Sequence, residues 1–124
     1  MSDDAAQLLR RLFRATPHAG RGAGPGWVHG EASEPLSATR VRWHLRADRG
    51  CIAEARYEVR GCPHTIAAAA LAAAALEGQV PADARIDLEE LARRTGAPAT
   101  KMGRFFVIQD ALREALLLLN PPPA

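Results

Sequence analysis

The sequence predicts an α+β fold: a small three-stranded antiparallel sheet with helices packed on one face, an N-terminal helix before the sheet and three helices after it. Three observations predict this. Residues 39–47 and 51–60 alternate apolar and charged side chains, the period of half-buried strands. Asp48-Arg49-Gly50 supplies a tight turn between them. Beyond residue 62, apolar stripes at helical spacing are separated by Gly78, Gly96 and Pro98.

The N-terminal segment reads as a helix from Asp4 to Ala15, capped by Ser2, Asp3 or Asp4, with Leu8, Leu9, Leu12 and Phe13 on one side. Arg10, Arg11 and Arg14 lie largely on the other side and read as a solvated face. Pro17 to Gly26 is glycine-rich and reads as a mobile loop. Its glycines follow no strand, so it lacks the context of a phosphate-binding loop. A first strand is expected over 27–32.

A three-residue loop at Asp48-Arg49-Gly50 would place Ala47 opposite Cys51, Leu45 opposite Ala53, Trp43 opposite Ala55 and Val41 opposite Tyr57. Every apolar residue then falls on one face. On the polar face His44 meets Glu54, Arg40 meets Glu58, and Arg42 meets Arg56. A two-residue loop would slip the register and pair Trp43 with Glu54. After the sheet, Pro63 to Leu76 forms an alanine-rich helix able to lie close to it. Asp87-Leu88-Glu89-Glu90 resembles a capping box, opening a short helix that ends at Gly96. The last helix carries a stripe of Phe105, Ile108, Leu112, Ala115, Leu116 and Leu119, and Pro121-Pro122-Pro123 ends it.

A chain of 124 residues makes one domain, 1–124, with a helix and glycine-rich loop over 1–26 and a core over 27–120. Hydrophobic content of 48%, charged content of 24% and a net charge of +2 suit an ordinary globular protein and demand neither nucleic acid nor an acidic partner. No apolar run is long enough for a bilayer, and the N-terminus lacks the apolar core of a signal peptide. Two cysteines at unrelated positions form no disulfide framework, so a reducing, cytoplasmic setting is expected.

The chemistry centres on Val59-Arg60-Gly61-Cys62-Pro63-His64-Thr65-Ile66. Proline at the first helical position leaves Cys62 at the N-cap, facing free N–H groups and the positive end of the helix dipole. Such a site favours thiolate, the form that binds metal and attacks sulfur. The plain alternative is a small buried hydrophobe. His64 is a candidate metal ligand, a base for the thiol, or a surface residue. His18, His29 and His44 have no ligand-like spacing. Cys51 is expected on the apolar face as core. Roughly 26 Å of strand separates it from Cys62 at about 3.3 Å per residue, too far for a disulfide.

Asp48-Arg49-Gly50-Cys51-Ile52-Ala53-Glu54-Ala55-Arg56-Tyr57, then Gly61-Cys62 and a small-residue helix closed by Glu77-Gly78, resembles the iron–sulfur cluster assembly scaffold family of NifU N-terminal-like, or IscU-type, proteins. Ile86-Asp87-Leu88-Glu89-Glu90-Leu91, Pro98, Lys101 and Asp110-Ala111 extend the likeness, which spans Thr39 to Leu118. The resemblance implies a non-enzymatic scaffold that receives sulfur from a cysteine desulfurase as a persulfide. It implies a transient iron–sulfur cluster or iron as cargo, and apoproteins as recipients, with no nucleic acid and no membrane as partner. The family uses three cysteines, an aspartate after the first and often a histidine beside the third. Cys62 matches the middle cysteine. The first belongs in Glu31 to Ala38, which holds Glu31 and Glu34 but no cysteine; the third falls at Arg104 and the histidine at Gly103. Cys62 is then expected to be the sulfur acceptor or a cluster ligand, with His64 as a second metal ligand. Holding a cluster would require further ligands from a homo-oligomer or a partner. The alternative is an interaction or regulatory module that kept the fold and lost the cluster site.

Overall fold

The structure, a computed structural model, describes residues 3–120. The elements run α1 (Asp3–Ala15), β1 (Trp27–Glu34), β2 (Thr39–Asp48), β3 (Cys51–Arg60), α2 (Pro63–Leu76), α3 (Leu88–Thr95) and α4 (Met102–Leu119), with short 3-10 turns at Pro81–Asp83 and Ala99–Lys101. The sheet is antiparallel in the order β1-β2-β3. One face buries Val41, Trp43, Leu45, Ala55 and Tyr57 beneath the helices. α4 covers β1 and β2, α2 covers β3, and α1 and α3 pack on α2. The Trp43 indole N–H donates to the Ile108 carbonyl at 3.0 Å, tying β2 to α4. The expected α+β architecture is therefore present; β1 runs two residues further than expected.

Local chemistry sets the element ends. Asp87 caps α3 by accepting the Glu90 N–H at 3.1 Å. Gly96, at φ 72°, closes that helix in the left-handed conformation. α2 buries alanines around most of its surface, because it lies between the sheet and the other helices. Ser2 and the three prolines after α4 lie outside the described residues.

The hairpin register corrects the expected one. Arg49 and Gly50 both have positive φ, 53° and 81°, so the connection is a two-residue turn closed by Asp48 opposite Cys51. Ala47 then faces Ile52, and an irregularity follows. Arg46 pairs with Glu54, so Ala53 is the extra residue of a bulge. The bulge restores the phase that a two-residue loop alone would break. Leu45 faces Ala55, Trp43 faces Tyr57 and Val41 faces Val59. Ile52 takes the buried place, and Cys51, expected in the core, is partly exposed.

Three further expectations change. The glycine-rich loop is bonded to the edge of β3. Tyr57 N–H donates to the His18 carbonyl, and Gly20 N–H donates to the Tyr57 carbonyl. An edge strand needs such a partner for its free amides. Phe13 is 46% exposed rather than packed with Leu12. His44, expected on the wet face opposite Glu54, is 1% exposed and lies opposite Arg56.

Candidate functional site

Cys62 occupies the N-cap of α2 in extended conformation, with Pro63 in the first turn. Its sulfur lies 3.3 Å from the Thr65 hydroxyl. Thr65 is buried, so this hydroxyl is a fixed partner rather than a solvent-exposed one. Two cations come from the segment before and at the start of α4. Arg104 and Lys101 both favour the negative charge on the sulfur. Burial pushes the Cys62 thiol up, but the Thr65 hydroxyl and the nearby Thr65 amide, then Arg104 and Lys101, outweigh it. The thiol titrates at about 7. A large thiolate fraction at neutral pH follows.

His64 turns its Nδ1 to the Lys101 Nζ at 2.9 Å. A protonated lysine only donates, so Nδ1 carries the lone pair and Nε2 the proton. Burial first, then Lys101 and Arg104, hold the imidazole below its ordinary pKa, so it is neutral at pH 7. Its buried Nε2 has no hydrogen-bond partner among the described residues. Metal ligation by Nδ1 would require Lys101 to move away.

The acidic residues Glu31 and Glu34, both in β1, point elsewhere. Glu34 folds onto its own turn, accepting from the N–H groups of Leu36 and Ser37, and feels the charge of Arg104. Glu31 pairs with Arg40 on the opposite face of the sheet. Among the described residues, no group of three histidine, cysteine or acidic side chains is gathered to hold a metal ion. One thiolate flanked by two cations and a histidine bonded to lysine suits an anion on sulfur.

The two cysteines differ by their place on α2. Cys62 sits at its N-terminus. Ile52, next to Cys51, exchanges hydrogen bonds with Gly78 and Gln79 just past its C-terminus. The helix dipole therefore favours a thiolate at Cys62.

The structure also brings together His29 and His44, which sequence spacing left unconnected. Their Nδ1 atoms are 2.7 Å apart, and His44 Nε2 is 2.7 Å from a Glu58 oxygen. Burial works against ionising Glu58, but hydrogen bonds from His44 and Arg21 hold its carboxyl below the usual range. His44 thus donates to Glu58 through Nε2 and accepts from His29 at Nδ1, and stays neutral because burial lowers its pKa. Finding this pair required the register of β1 on β2, which no local sequence signal supplies.

Carboxamidomethylation of native Cys62 should rise with pH along a curve centred near about 7. Arg104→Ala should move that midpoint up and slow labelling at neutral pH by about fivefold, since fewer cations favour the neutral thiol. A profile unchanged by Arg104→Ala would mean the guanidinium does not act on the sulfur.

Fold and site together define a small α+β domain that presents one activated thiol at the start of an alanine-rich helix. Residues 19–119 match the model of the NifU-like N terminal domain, and the chain belongs to that family. A protein of Fervidobacterium islandicum AW-1, described as an iron–sulfur cluster assembly scaffold protein for the SUF system, superposes with a TM-score of 0.69 at 12% identity, covering 94% of this chain and 96% of that one. The N-terminal part of a nitrogen-fixing NifU-like protein from Brucella abortus gives 0.64 at 13% identity, covering 90% and 95%. At such identities the likeness concerns the fold. A comparison with curated proteins returns no match. No helix among the described residues is long and apolar enough to cross a membrane.

Proposed function

We propose that this chain serves iron–sulfur assembly as a sulfur acceptor, with Cys62 as the accepting residue. The observation that carries the reading is the Cys62 sulfur at a helix N-terminus beside Arg104 and Lys101. The Cys62 thiolate attacks the outer sulfur of a donor persulfide, R–S–SH. A new S–S bond forms at Cys62, the donor S–S bond breaks, and R–S⁻ leaves; no oxidant is consumed. The product, Cys62–S–SH, is more acidic than a thiol, and its anion keeps the same two cations as partners. Membership of the family supports a cysteine desulfurase as donor and an apoprotein as recipient. Sulfur is accepted and passed on stoichiometrically, without catalytic turnover. Cluster holding, the other role expected of Cys62, would draw further ligands from a second chain.

The test incubates the protein with a cysteine desulfurase and cysteine, then seeks the mass of added sulfur on the Cys62 peptide. One sulfur on that peptide, removed by a reductant, is the expected result. No sulfur there would leave the interaction module as the better reading.

A further inference from the structure

Cys62 follows Arg60 and Gly61 at the end of β3, and on the sheet face away from the helices that end opens into a recess of about 330 Å³. Its charged lining is Arg21, Arg40, Arg42, Arg60, Glu31 and Glu58. Both carboxylates are already engaged. Glu31 pairs with Arg40, and Glu58 takes hydrogen bonds from Arg21 and His44. Arg42 and Arg60 have no hydrogen-bond or ion-pair partner among the described residues, although both line the recess. Arg60 lies directly opposite Arg40 across β2 and β3. Like charges at facing positions weaken a sheet, so this pairing costs stability in the free protein.

We propose that this recess binds an acidic peptide segment of the protein that exchanges sulfur with Cys62. Three features select that occupant. Arg42 and Arg60 are diagonal neighbours across β2 and β3, about 7–8 Å apart, which matches carboxylates on alternate residues of an extended chain. Guanidinium groups take carboxylates in two parallel hydrogen bonds, a geometry that fixes the segment's position. Glu31 and Glu58 interrupt the positive field, which disfavours the unbroken phosphate row of a nucleic acid. Gly61 is the single residue between Arg60 and the cysteine, so a partner seated here has to pass round the end of β3 to meet the thiol, whose sulfur faces Thr65, Arg104 and Lys101 on the helix side. The proposal rests on the sulfur-acceptor reading for the identity of the partner.

The probe is a fluorescein-labelled octapeptide of alternating glutamate and serine, with its glutamine counterpart as control, titrated against the whole protein at low and moderate salt. Binding of the glutamate peptide alone, weakened by salt, is expected. The double variant Arg42→Gln, Arg60→Gln should lose at least about tenfold in affinity, as removing charge-assisted bidentate contacts does. It should keep the wild-type rate of Cys62 alkylation by neutral iodoacetamide. Arg60→Gln should also melt at the wild-type temperature or slightly above it, because a like-charge pair is relieved; a lower midpoint would assign Arg60 a structural role and overturn the proposal. Equal affinity for both peptides, undiminished binding to the double variant, or tighter binding of inorganic phosphate or an eight-nucleotide single strand at these arginines would overturn it too. Sulfur loading of Cys62 from a small-molecule persulfide is measured separately. Peptide binding without sulfur loading would remove the acceptor reading and leave the acidic-segment surface standing.

Discussion

Cys62→Ser should abolish sulfur acceptance while the protein stays folded. The loss is expected to be complete, because serine has no ionisable sulfur at neutral pH and Cys51 cannot substitute. Cys51 is at the turn end of the β2–β3 hairpin, beside the other end of α2, and its sulfur makes no side-chain hydrogen bond among the described residues. Stability should change by no more than about 1 kcal/mol, since serine is a good N-cap whose oxygen can accept a first-turn N–H of α2. The check pairs a desulfurase loading assay with urea unfolding. Sulfur uptake equal to wild type would end the case for Cys62. A large fall in stability would show that the cysteine is a packing residue instead.

Gly30→Ala should be the most damaging conservative substitution in the sheet. Gly30 lies opposite Trp43, on the face that α4 covers. A Cβ there would sit 2.3 Å from the Ala111 carbonyl oxygen and 2.4 Å from the Ala115 nitrogen. Both are backbone atoms in the middle of a helix, so no side-chain rotation can relieve them. Replacing glycine in a strand normally gains about 0.5–1 kcal/mol from the unfolded chain. Overpacking here costs more, about 3 kcal/mol, because α4 must lift from β1 or bend. Urea unfolding should show the lower midpoint, and adding Ala111→Gly should not rescue it, since the clash is with backbone. Wild-type stability in Gly30→Ala would mean that α4 does not approach β1 this closely.

Much of the fold was legible because its signals are local. Period-two alternation marked β2 and β3, Asp87 and Gly96 bounded α3, and Pro63 opened α2. The hairpin register was not read correctly, although a sign was present: Ile52 and Ala53 are adjacent apolar residues, which strict alternation cannot place on one face. A bulge resolves them, as observed. The candidate thiol was visible from the helix start alone. Its cations were not, because Lys101 and Arg104 reach it from about forty residues away, and no periodicity links them to Cys62. Arg104 came into view only by counting along the family pattern. The pair of buried His44 and half-buried His29 stayed hidden for the same reason, since it depends on the pairing of two strands joined by an irregular turn.

The alanines of α2 bear on how the thiol meets its reaction partner. Ala67, Ala68, Ala69, Ala70, Ala72 and Ala73 are buried, and the helix rests on its neighbours through methyl groups that have no rotamers. Longer side chains would let the helix slide as they exchanged conformations. With methyl contacts, the backbone distances themselves fix the axis, and Cys62 is attached at one end of it. An incoming sulfur donor therefore meets a nucleophile whose direction is set before the encounter. The entropy normally lost in orienting a reactive group is spent during folding, and little of it is left to oppose each transfer.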